Sequence, residues 1–231
     1  MTKEAIVLSN DNSISEISID DIGDDHMFTG LETPMKVDAF VMSDIEKKEK
    51  ISDLFGQIMD VMGMDLTDDS LKDTPKRVAK MYMEEIFSGL NPNNKPKISL
   101  FENKYQYNQM LVEKDITFYS NCEHHFVPIY GKCTIAYLPK GKMLGLSKLN
   151  RVTEYFSRRP QVQERLTEQI RAAISYVTET ADVAVFIDSE HFCVKSRGIQ
   201  DTNSSTVTLS VGGIFAEDKS LFSRPPLVIE L

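Results

Sequence analysis

The chain has 231 residues, 41% of them hydrophobic, enough to fill one well-packed core with a tail. Its 35 acidic against 26 basic residues leave a net charge of -9, which excludes a general nucleic-acid surface yet permits a local basic pocket for an anionic substrate. No stretch approaches the roughly 18 consecutive apolar residues of a membrane span, and the start lacks the apolar run of a secretion signal, so a cytoplasmic protein without membrane contact is expected.

Residues 1–42 are acidic and without sustained periodicity, with Asp20-Asp21-Ile22-Gly23-Asp24-Asp25 at their centre; they read as a flexible extension. Residues 43–96 read as a helical region. Ser43-Asp44-Ile45-Glu46 is a capping box, after which Ile51, Leu54, Phe55, Ile58 and Met62 share one helical face up to Gly63. Thr74-Pro75 starts a second helix, whose stripe of Val78, Met81, Tyr82 and Ile86 stops at Gly89 and Pro92.

Residues 97–231 read as the main α+β domain. Segments 109–112, 116–120 and 126–137 are rich in β-branched and aromatic residues and predict strands. Ser147 opens a helix through Phe156, Pro160 breaks it, and Val162, Leu166, Ile170, Ala173, Ile174 and Val177 mark a longer amphipathic helix. Two strands follow, over 183–188 and 190–195. Alternation in the second puts His191 and Cys193 on one face.

Chemistry concentrates at Cys122-Glu123-His124-His125, placed in a bend between strands, and at His191-Phe192-Cys193. Two thiolates and an imidazole, Cys122, His125 and Cys193, form a three-ligand zinc set that leaves a fourth position open for water, the count that favours catalysis over structure. The competing reading is a reduced cysteine pair with a satisfied histidine. Three cysteines do not look like a disulfide framework, and Cys133 reads as a small buried hydrophobe. His124 and His191 suit acid/base work or, equally, orientation of the ligands. Ser147, Lys148 and Arg151 in a first helical turn, with Lys195, Arg197 and Arg77, offer a phosphate clamp, against the commoner role of solvated cations. Gln163-Glu164 matches a donor-rich heterocycle edge, although a glutamate in a first turn is favourable on dipole grounds alone.

The stretches Asp73-Thr74-Pro75-Lys76-Arg77-Val78-Ala79-Lys80-Met81-Tyr82, Cys122-Glu123-His124-His125-Phe126, Gly145-Leu146-Ser147-Lys148-Leu149-Asn150-Arg151, 159–167 and His191-Phe192-Cys193-Val194-Lys195-Ser196-Arg197-Gly198 together closely resemble the GTP cyclohydrolase I family over roughly residues 45–215. The resemblance implies a tunnelling fold, with an antiparallel sheet, helices on one face and N-terminal helices before it. It further implies a homodecamer of two stacked pentameric rings with sites between subunits. Carried over by position, Cys122, His125 and Cys193 would hold zinc, and His124, His191 and Ser147 would be catalytic. Glu164 with Gln163 would hold the guanine edge of GTP, and Ser147, Lys148, Arg151, Arg197 and Arg77 would face its triphosphate. The implied reaction opens the guanine imidazole ring by hydrolysis, releases formate and, after ribose rearrangement, gives 7,8-dihydroneopterin triphosphate. The paired prolines Pro225-Pro226 depart from the charged helix in which many relatives end. Two other readings compete: a different enzyme of the same fold, which the cysteine ligands oppose, and a zinc-holding scaffold, which has no need of His124, His191 and Glu164.

Overall fold

A computed structural model describes residues 31–104 and 106–222, together with the backbone of 223–224 and 227–228. Most of the extension read over residues 1–42, and the pair Pro225-Pro226, lie outside the described residues. Helix α1, Asp44–Val61, begins at the capping box: the Ser43 hydroxyl accepts from the Glu46 N–H at 3.3 Å, and the Glu46 carboxylate accepts from the Ser43 N–H at 2.9 Å. The helix stops where Gly63 takes φ +78°, a left-handed conformation that costs glycine little. Its apolar stripe behaves otherwise than expected of a core face. Leu54, Ile58 and Met62 are exposed, and Met59, outside the stripe, is the helix's buried residue. Ile51, Leu54, Phe55 and Ile58 of the stripe instead line an open groove of about 720 Å³ shared with Phe40, Phe87 and Phe126.

Helix α2, Thr74–Met81, has Pro75 in its first turn and runs on through a π turn, Tyr82–Ile86. Gly89 closes this region against the next layer: a Cβ there would lie 2.1 Å from the Tyr155 carbonyl, so only glycine permits the approach.

The strands are β1 (Leu100–Glu102), β2 (Leu111–Cys122), β3 (Pro128–Tyr137), β4 (Lys142–Leu144), β5 (Pro160–Gln161), β6 (Val183–His191) and β7 (Thr206–Val211). Five of them form one sheet in the order β5-β2-β3-β6-β7, antiparallel throughout except for the short parallel pair of β5 and β2. The two strands expected at 109–112 and 116–120 are one, β2, with a register shift between Glu113 and Ile116 that Asp115 absorbs at φ +58°. Helix α3 (Leu146–Ser157) starts just before Ser147, with Gly145 as its cap, and α4 (Gln163–Thr178) follows β5 directly.

Leu149 and Val152 from α3, and Leu166, Ile170 and Ile174 from α4, bury against Phe118, Ile135, Tyr137, Val185 and Ile187 of the sheet. Each such fully buried aliphatic side chain contributes on the order of 2 kcal/mol. The sheet's other face is not bare. Ala136 and Ala184, paired across β3 and β6, pack with Phe215 and Phe222, whose rings stack at 6.2 Å. A short helical turn α5 (Phe192–Lys195), the turn α6 (Ile214–Glu217) and an antiparallel pair of β8 (Ser223–Arg224) and β9 (Leu227–Val228) complete the described elements. Among the described residues, no helix is long and apolar enough to cross a membrane.

Candidate metal centre and active site

Cys122 ends β2, held on one side by the parallel pairing to Gln161 and on the other by its own turn. The Cys122 N–H donates to the Val127 carbonyl at 2.9 Å, the Phe126 N–H donates back to the Cys122 carbonyl at 2.8 Å, and the Asn121 amide donates to the Phe126 carbonyl at 3.1 Å. Phe126 itself sits at φ +55°. The bend therefore projects Glu123, His124 and His125 in fixed directions. Glu123 turns inward to Arg165 of α4, whose guanidinium nitrogens lie 2.5 and 3.3 Å from the carboxylate and which is itself 4% exposed.

Cys193 reaches the same place by a route that alternation does not predict. Strand β6 ends at His191, opposite Ile129 near the start of β3, so a continued strand would soon run out of partner. The chain winds instead into α5, closed by the Ser196 N–H and hydroxyl donating to the Phe192 carbonyl at 3.0 and 2.7 Å. The expected strand over 190–195, with His191 and Cys193 on one face, is thus replaced by a strand end and a helical turn. That turn brings the ligand atoms of Cys122, His125 and Cys193 within 4.8 Å of one another.

These residues fit a zinc-type ion. Burial, with Cys122 beside it, pushes the Cys193 thiol up, so two adjacent thiols resist ionising together, a conflict that a divalent cation resolves. His125 is exposed, and its Nε2 lies 2.8 Å from Arg197 Nη1. Arginine only donates, so Nε2 is the accepting nitrogen of a neutral ring. Such a ring has one lone pair, and ligation through either nitrogen displaces Arg197 from this contact.

His124 stands beside the triad, its Nδ1 3.7 Å from Cys122 Sγ and its Nε2 3.8 Å from Glu123. His191 is half-buried; that burial lowers its pKa, and the charge of nearby Glu164 partly offsets the effect. Glu164 is exposed at the start of α4, whereas Gln163, expected to share the guanine edge with it, is 2% exposed. Its amide is occupied by Ile187, Ser189, His191, Thr206 and Thr208.

The remaining predicted residues lie on other elements. Ser147, Lys148 and Arg151 occupy the first turns of α3, and Arg77 lies on α2; Ser147, Arg151 and Arg77 are exposed and Lys148 is half-buried. Among the described residues, no hydrogen bond joins any of the four to Cys122, His125, His191 or Cys193. Arg151 faces a polar cleft of about 280 Å³ with Glu154 and Arg158. Lys195 is turned away to Glu190 and the Thr202 carbonyl. Sequence reasoning missed Arg165 and Ser189. The signal for Arg165 was a charge directly beside Leu166 on the helix's apolar side, although nothing local names Glu123 as its partner.

A family model described as GTP cyclohydrolase I matches residues 51–225. The GTP cyclohydrolase 1 of Flavobacterium johnsoniae is 52% identical over 206 residues, covering 89% of this chain and 92% of the relative. Those of Vibrio cholerae and Shewanella denitrificans are 53% and 54% identical over 186 residues, covering 80% of this chain and 85% of each relative. The chain belongs to the GTP cyclohydrolase I family of enzymes. Within the span matched to GTP cyclohydrolase I lie all the residues of the metal triad, both neighbouring histidines, and the α2, α3 and α4 residues discussed above.

Proposed function

We propose that the protein is a zinc-dependent GTP cyclohydrolase I, converting GTP to formate and 7,8-dihydroneopterin triphosphate in the cytoplasm. One observation carries the reading: Cys122, His125 and Cys193 converge within 4.8 Å, with His191 two residues before Cys193 in the chain and Glu164 near His191, in a chain of this family. A zinc ion on these three ligands would supply Lewis acidity at an open position and lower the pKa of a bound water to about 7.

The chain's own groups do the rest. Glu164 accepts from the ring N–H and amino group of guanine, a paired donor edge that adenine lacks. His191 delivers a proton to the imidazole nitrogen that leaves as the ring opens, and His124, between Cys122 and Glu123, serves the later proton transfers of the ribose rearrangement. Arg197, once released from His125, joins Lys148, Arg151, Arg77 and the Ser147 hydroxyl in holding the triphosphate.

The cations of α2 and α3 belong to this site through assembly. Among the described residues the outer edge of β7 has no partner strand, Val207 and Leu209 are 46% and 40% exposed, and His125 of the triad is exposed while Cys122 is buried. Strand-edge pairing between copies would close a ring, with α1 stripes buried between neighbours, in a decamer of two stacked pentamers on the tunnelling fold. The test is zinc-loaded protein incubated with GTP, reading formate and, after oxidation, pterin fluorescence, alongside molar mass by light scattering. Wild type turns over as a decamer. His191→Ala keeps metal and mass and loses turnover; full turnover in that variant, or no formate from wild type, sinks the reading.

A further inference from the structure

We propose that Gln163 is a positioning residue, whose amide holds His191 as the tautomer protonated on Nε2 and so leaves Nδ1 as the ring's proton-accepting nitrogen. The oxygen and nitrogen ends of the Gln163 amide are told apart by their partners. One end lies 3.2 Å from the Ile187 carbonyl, 2.8 Å from the Thr206 carbonyl and 3.0 Å from Thr208 Oγ1. Carbonyls only accept, so this end is the NH2 group. The other end is the oxygen, 2.6 Å from Ser189 Oγ and 2.7 Å from His191 Nε2.

The hydroxyls agree with that orientation. Thr167 donates to the Gln163 backbone carbonyl at 2.7 Å, so the 2.7 Å contact between Thr167 and Thr208 is donated by Thr208. The Thr208 oxygen then has a lone pair for the Gln163 NH2. Ser189 spends its single proton on Gln163 Oε1, which leaves its oxygen, 3.3 Å from Nε2, only able to accept. Both partners of Nε2 are acceptors, and the proton of a neutral ring must sit there. The arrangement resists reversal because Gln163, Thr167 and Ser189 are 2%, 1% and 2% exposed. A flipped amide would press its oxygen on two carbonyls with no water to relieve them.

Three elements thus converge on one proton: α4 supplies the amide, β7 locks its NH2 end, and β6 carries Ser189 and His191. Gln163 Oε1 is thereby bonded to Nε2–H, and Nδ1 is the ring nitrogen left without a proton. This removes Gln163 from the guanine edge and leaves that edge to Glu164. The inference rests on the reading of His191 as the proton carrier, so its test needs a readout independent of turnover.

That readout is the ring-nitrogen spectrum of metal-loaded wild-type protein labelled with 15N-histidine, the His191 signal being the one lost in His191→Ala. A neutral ring protonated on Nε2 is expected. A ring protonated on Nδ1, or exchanging between tautomers, overturns the proposal whether or not the enzyme turns over GTP. Kinetics give the second arm: Gln163→Leu should lower kcat by about 100-fold, in the range of a misdirected acid/base group, with the KM for GTP within about threefold. A raised KM at unchanged kcat would place the amide on the substrate instead. Should Gln163→Leu not fold, Ser189→Ala decides: it keeps Gln163 on Nε2, and a change of tautomer in that variant refutes the assignment.

Discussion

Glu123→Ala tests how the metal turn is anchored. The substitution leaves the Arg165 guanidinium, 4% exposed, without the carboxylate that lies 2.5 and 3.3 Å from its two terminal nitrogens. Removing one partner of a buried pair costs about 3–5 kcal/mol; the Glu123 side chain retains 18% exposure, which places the loss near the lower figure, about 3 kcal/mol. Glu123 lies between Cys122 and His125, two of the three residues that could hold a metal ion, so part of that loss falls on the geometry of the site. At about 1.4 kcal/mol per tenfold, metal affinity should drop by about 10- to 100-fold, the usual effect of losing a group that orients ligands. Chelator competition measures the affinity, and thermal unfolding at fixed protomer concentration measures stability. Adding Arg165→Met should restore most of the stability, because both charges are then gone, without restoring the metal site. Affinity within about twofold of wild type together with an unchanged Tm would show that the bend holds itself and that the ion pair is incidental.

Three further outcomes follow from the same fold. Full burial pushes the Cys133 thiol up to about 12, so in metal-free native protein an alkylating reagent should take Cys193 first and Cys133 only on unfolding, read by mass spectrometry. Equal labelling rates would contradict that burial. Gly131→Ala puts a Cβ 2.4 Å from the Asp188 carbonyl and 2.4 Å from Ser189 Cβ, so thermal unfolding should show a loss of about 2–3 kcal/mol, and turnover should fall because Ser189 moves under His191. Burial raises the Asp182 pKa, but the Ile214 N–H and Lys140 outweigh it and hold the carboxyl below its usual range. A depressed carboxylate contributes stability fully present above the unfolded value of about 3.9 and lost as pH falls through the folded value. Acid titration of Asp182→Asn should therefore show a flatter loss of stability below pH ~4 than wild type.

How far the sequence reached is clearest element by element. The Ser43 and Glu46 cap, the start at Thr74-Pro75 and the stop at Gly63 depend on neighbours within a turn; the first and last stand as read, and the second is displaced by one residue, since Asp73 and not Thr74 takes the cap position. The convergence of Cys122 and His125 on Cys193 was legible as ligand chemistry, since thiolates and imidazole suit a zinc ion wherever they meet. Tertiary structure decided how they meet. His191 reaches the end of β3's ladder and Cys193 turns into a helix, an outcome set by where a partner strand stops and invisible in local alternation. The same holds for Gln163, whose polar side chain reads as available in the sequence and is consumed by carbonyls and hydroxyls from β6 and β7. Arg165 takes its meaning from Glu123 on a distant bend. Period and capping act within a few residues and so are written in the sequence directly. Hydrogen-bond satisfaction in a buried layer depends on which strands lie alongside, and for the residues around His191 only the folded chain specifies that.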